Sequence, residues 1–112
     1  MDGSSIYSTA LSQLDAIELS MTSPQGDALI QAASAPDHQR AVRMLLDVHQ
    51  ARLALGNATL QSIVDKLKAN EQSIVSGTNA VQAALKALNN LTQILNSVSA
   101  LIGVVAKIVP MI

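Results

Sequence analysis

From Val42 to Val109 the sequence can be walked in alternating steps of four and three. The walk touches Val42, Leu46, His49, Leu53, Gly56, Leu60, Ile63, Leu67, Asn70, Ile74, Gly77, Val81, Ala84, Leu88, Leu91, Leu95, Val98, Ile102, Val105 and Val109, and sixteen of these twenty positions are aliphatic. An apolar residue every 3.5 positions marks one side of an α-helix and is the spacing of a coiled-coil seam. The pattern predicts an all-α chain of long helices. Ala, Leu and Gln dominate it, and Gly (five) and Pro (three) are few, which agrees with that class.

Punctuation along the chain divides it further. A first helix is expected after Ser4-Ser5, with Ala10, Leu14, Ile17 and Met21 on one stripe. It should stop before Pro24, because the residue preceding proline avoids the α region. A second, short helix fits from Ser23-Pro24 to about Ala33. Ser34-Ala35-Pro36-Asp37 then reads as a helix start, with a cap, an early proline and an acid in the first turn. Gly56-Asn57 weakens the helix, and Ser76, Gly77, Thr78 and Asn79 form the strongest breaker. Asn70, at a seam position, is read as fixing register at a cost in stability. The reading is therefore a helical hairpin, with helices at about 37–75 and 79–109 turning at this hinge. Each arm would be about 45–55 Å long at 1.5 Å per residue, and a single continuous rod is the alternative. Residues 1–36 form an acidic N-terminal segment before the hairpin of 37–112.

Charge separates these two regions. Asp2, Asp15, Glu18, Asp27 and Asp37 are the only charges in residues 1–37, a balance of −5. From residue 38 onward seven Lys and Arg face Asp47, Asp65 and Glu71, a balance of +4. Opposite signs suggest that the acidic block meets the basic one, within a subunit or between subunits. Arg43 with Asp47 and Lys68 with Glu71 have the spacing of ordinary surface pairs.

The C-terminal helix carries a second stripe at Ala80, Ala87, Ile94, Leu101 and Ile108, widened by Val104 and Met111. Residues 94–112 are thus apolar around most of the circumference, and a helix of that kind must be buried on all sides. The expectation is that neighbouring copies, or lipid, finish the burial. The residues assigned to self-assembly are Leu88, Leu91, Leu95, Val98, Leu101, Ile102, Val105, Ile108 and Val109. Pro110 ends the helix, and Gly103 allows close helix approach.

Chemistry is scarce. The chain has no Cys, Trp or Phe and a single Tyr at position 7, which removes thiolate metal sites and cysteine nucleophiles. A net charge of −1 and the lack of stacking aromatics argue against nucleic acid as a partner. His38 and His49 lie about 16 Å apart along one helix, too far to share a metal, and His49 reads as a structural seam histidine. No phosphate loop, paired-carboxylate signature or HExxH motif occurs. The Asn57-Ala58-Thr59 and Asn90-Leu91-Thr92 sequons fall within predicted helices. The expectation is a non-enzyme with no cofactor, no metal and no small-molecule substrate.

Length, helix layout, runs of Ala, Ser, Gln and Asn, and the lack of Cys and of all but one aromatic are together similar to the small helical axial subunits of type III secretion and flagellar-type export systems. The likeness is compositional, and Ser76-Gly77-Thr78-Asn79 stand where many needle subunits carry a proline-containing turn. A filamentous-virus coat subunit has much the same layout. The resemblance implies a structural subunit that polymerises through helix packing. The N-terminus lacks the positive region of a secretory signal, so export into an extracellular assembly would use a non-Sec route. Two other readings follow from the same residues. One is a membrane-active protein, pore-forming or lysis-type, that uses 94–112; the other is a small helical adaptor.

Overall fold

In the computed structural model, which describes residues 2–109, the chain forms six α-helices and no strand among those residues. They are α1 (Gly3–Met21), α2 (Pro24–Gln31), α3 (Ala35–Asn57), α4 (Leu60–Ala69), α5 (Glu71–Ala87) and α6 (Leu91–Ala106). The all-helical class agrees with the sequence pattern. The caps are largely where the local chemistry places them. Asp2 begins α1 by accepting the Ser5 N–H at 2.7 Å, Ser23 begins α2 by accepting from Gly26, and Asn90 begins α6 by accepting from Gln93. Each satisfies a backbone donor that the first helical turn leaves open.

The two long arms are replaced by four shorter helices. The chain breaks at Ala58-Thr59, where both residues are extended, and at Asn70, whose side-chain amide donates to the Lys66 carbonyl at 2.8 Å. Its reversal into α6 comes at Leu88, the one described non-glycine residue in the left-handed region, with φ 47° and ψ 44°. Ser76, Gly77, Thr78 and Asn79, expected as the hinge, instead lie inside α5. Burial of Ile74, Thr78 and Val81 holds this segment helical. Gly77 serves close packing there: a Cβ at that position would lie 3.2 Å from Leu101 Cδ1 of α6.

α1 packs against α3, α4 and α5, while α6 lies against α3 and α5. Ile6, Leu14 and Ile17 from the N-terminal segment therefore share one core with Val48, Leu67, Val81 and Leu101. The segments 1–36 and 37–109 fold together. The radius of gyration is 13.8 Å and the longest extent 42 Å, shorter than either the hairpin or the rod would require. Gly26 fixes the turn between α1 and α2, since a Cβ there would meet Ser20 O and lie 2.8 Å from Met21 Cα.

Candidate functional site

The assembly stripe assigned from the sequence is spent inside the chain. Leu91, Leu95, Val98, Leu101, Val105, Ile108 and Val109 are all buried, while Leu88 and Ile102 are partly buried against the same core. The open side of α6 carries Thr92, Gln93, Asn96, Ser99, Ala100, Gly103 and Ala106. It is small and polar rather than apolar. The C-terminal helix is therefore not apolar all round over its described length: α3 and α5 cover what one intrachain partner would leave open. Pro110 and Met111 lie outside the described residues.

The apolar surface left over is on α3 and α1. Among the described residues the large hydrophobic side chains that remain exposed are Leu19 (72%), Val42 (54%), Leu46 (51%) and Leu53 (49%). The inner face of α3 is Ala41, Met44, Val48, Ala51 and Leu55. At about 100° per residue, Leu46 and Leu53 stand half a turn from Met44. α3 is thus apolar on two opposite sides, one in the core and one in solvent. The outer stripe coincides with the 4,3 walk, which runs along the core only from Ile63 onward. The break at 58–59 lets α3 take a phase of its own. Its inner stripe is written at spacings of three and four from Ala41, and that was the sequence signal for the true core face.

The outer stripe is pinned at its middle by polar contacts to α1. His49 Nδ1 meets Glu18 Oε1 of α1 at 3.1 Å, and Arg52 reaches both Asp15 and Glu18 at 3.1 Å. The acidic block thus meets the basic one within the chain. Tyr7, the only aromatic residue, donates its hydroxyl to the Leu55 carbonyl at 3.0 Å and so satisfies an acceptor in the last turn of α3. These contacts hold α1 antiparallel to α3 and fix how the stripe is presented. The carboxyl of Asp2 is held below its usual 3.8, chiefly by the Ser5 backbone hydrogen bond.

Beside the stripe, α3 and α6 enclose a groove of about 450 Å³. Its floor is Met44, Leu95 and Ile102, and its rim carries Arg40, Arg43, Asp47 and Ser99. Both arginines are already engaged: Arg40 donates to Asn96 Oδ1 at 3.2 Å and Arg43 pairs with Asp47 at 3.3 Å. Of the residues assigned to assembly, Leu95 and Ile102 reach this groove. His38 is turned to the Ile30 carbonyl at 3.2 Å, away from His49. Among the described residues no group of three His, Cys, Asp or Glu could hold a metal, and no helix is long and apolar enough to cross a membrane. Comparison with protein-family models, with curated proteins and with solved structures returned no match.

Proposed function

We propose that this chain is a non-enzymatic structural subunit that associates with copies of itself, and that the outer stripe of α3 is the contact. The observation that carries the reading is the exposure of Val42, Leu46 and Leu53 at coiled-coil spacing on a helix whose other side is already buried. An exposed seam of this kind is stabilised by a second helix that covers it.

A second copy is the occupant that fits. The stripe at 42, 46, 49 and 53 has spacings of four, three and four, which read the same in both directions. Two α3 helices related by a twofold axis near position 47–48 would set Val42 against the other copy's Leu53 and Leu46 against its His49. Such isologous contacts are the commonest in soluble homo-oligomers. A net charge of −1 and a charged content of 13% offer little repulsion between copies. Sedimentation velocity over a concentration series tests this, with Leu46→Glu as the variant that places a charge in the contact.

The groove between α3 and α6 favours a second reading, a helical adaptor that seats an amphipathic helix of another protein on Met44, Leu95 and Ile102. Under that reading Ile102→Asp abolishes partner binding and leaves self-association unchanged.

A further inference from the structure

Leu19 of α1 is the most exposed large hydrophobic side chain among the described residues. It stands two residues from Ile17, about half a turn from the buried stripe of Ile6, Ala10, Leu14, Ile17 and Met21. Leu46 stands in the same relation to Met44 on α3. Both helices press their inner faces into one core, so Leu19 and Leu46 project from the side that faces away from it. Three contacts fix the register between the two helices. Glu18 meets His49, Asp15 meets Arg52, and a Cβ on Gly56 would lie 4.0 Å from Leu11 Cδ1. At each of them the two residue numbers total 67, as an antiparallel pair in constant register requires. Leu19 is therefore level with residue 48 of α3. The stripe at 42, 46, 49 and 53 has its own centre at 47–48. At 1.5 Å per residue, Leu19 lies within about 1 Å of that centre along the helix.

We infer that Leu19 of one copy meets Leu19 of the other on the twofold axis, so that each copy contributes a layer of α1 and α3 and the contact is a four-helix arrangement. The inference rests on the reading of the α3 stripe as the contact. A twofold axis brings a residue at its own level opposite itself and every other residue of the helix opposite a different one. The occupant is a second copy because the apolar positions of two separate helices are centred on one level, and an unrelated partner imposes no such centre. Asp15 and Glu18, which flank Leu19, are turned to Arg52 and His49 of their own copy. The polar groups around Leu19 thus already have partners, and the apolar side chain is what remains to be covered.

Cysteine cross-linking tests this on the full chain, which has no Cys of its own. Leu19→Cys, Leu46→Cys and Ser8→Cys each carry one thiol, and bismaleimidoethane joins two thiols only where the copies bring them together. Ser8 is exposed on the same helix but lies eleven residues from Leu19, so the axis would separate the two Ser8 by more than about 30 Å. Leu46→Cys and Leu19→Cys should give covalent dimer, and Ser8→Cys none. In sedimentation velocity Leu19→Ser, which alters no core residue, should raise the dimer dissociation constant at least about tenfold, because each copy loses a buried apolar side chain. Dimer from Leu46→Cys, with no more from Leu19→Cys than from Ser8→Cys, would overturn this inference and leave the α3 contact standing. An unchanged dissociation constant for Leu19→Ser would do the same. Dimer from neither Leu19→Cys nor Leu46→Cys would overturn both.

Discussion

Gly77 of α5 lies so close to Leu101 of α6 that a Cβ added to it would stand 3.2 Å from Leu101 Cδ1 and 3.8 Å from Leu101 Cα. The nearest atom is the end of a flexible side chain, which yields by a small rotation. Replacing an interior helical glycine by alanine gains about 0.5–1 kcal/mol. Gly77→Ala should therefore leave the midpoint of chemical unfolding unchanged or raise it slightly. Gly77→Leu has no room beside Leu101 Cα and should lower stability by about 1–3 kcal/mol through overpacking. A clear loss on Gly77→Ala would mean that Leu101 cannot move aside and that the glycine is required for the close approach of α5 to α6.

Gly26 and Gly103 make a paired test of the same argument. A Cβ on Gly26 meets backbone atoms, Ser20 O and Met21 Cα, whereas one on Gly103 meets nothing within 4 Å. Backbone cannot rotate aside. Gly26→Ala should thus cost about 3 kcal/mol by forcing α2 away from α1, while Gly103→Ala should gain about 0.5–1 kcal/mol. Thermal unfolding of the two variants checks the sign of each.

Arg52 links α3 to α1 through Asp15 and Glu18, with about a third of its side chain exposed. Its Nε is buried without a partner, which offsets part of what the ion pairs supply. Arg52→Met keeps the aliphatic packing and loses the charges. It should cost about 1 kcal/mol or less at low salt, with the difference shrinking in concentrated salt as screening removes the attraction. Urea melts at two ionic strengths measure it.

Asp2 gives a pH dependence with a definite sign. Its carboxyl is held below 3.8 by the hydrogen bond from the Ser5 N–H, so the folded state binds the proton less readily than the unfolded chain. The cap's contribution is complete above the unfolded value and is lost as pH falls through the lower folded value. Wild type should melt above Asp2→Ala at pH 7, with the difference shrinking as pH falls past 3.8 and vanishing only below the lowered folded value.

The helical class, the starts of α2 and α3 and the weak point at Gly56-Asn57 were legible because they rest on local chemistry: Ser23 before Pro24, and Pro36 and Asp37 after Ser34. The first start was read at Ser4-Ser5, whereas Asp2 caps the helix. Asn70 was read as a register residue, whereas it separates α4 from α5. The stop at Leu88 was not legible. Leucine carries no signal for a left-handed backbone, and its φ of 47° is imposed by the packing of α6 onto α5. The hinge was read at Ser76–Asn79 because weak helix propensity looks alike whether a residue turns the chain or, as Gly77 does, admits a neighbouring helix.

The apolar surface was harder to place. Two stripes compete on α3, and the sequence marks both. Val42, Leu46 and Leu53 are larger than Ala41 and Ala51, so side-chain size pointed to the wrong face as the core. The small alanines are inside because they let α3 sit close to its neighbours. The level of Leu19 against α3 had no sequence signal, since it depends on how the two helices pair.

The proposed contact between copies of this chain is the outer stripe of α3. Sedimentation velocity of wild type and Leu46→Glu across a hundredfold concentration range, with helicity checked by circular dichroism, tests it most directly. The sedimentation coefficient should rise with concentration for wild type and stay at the monomer value for a fully helical Leu46→Glu. A wild-type chain that remains monomeric throughout, or association that Leu46→Glu leaves intact, would contradict it.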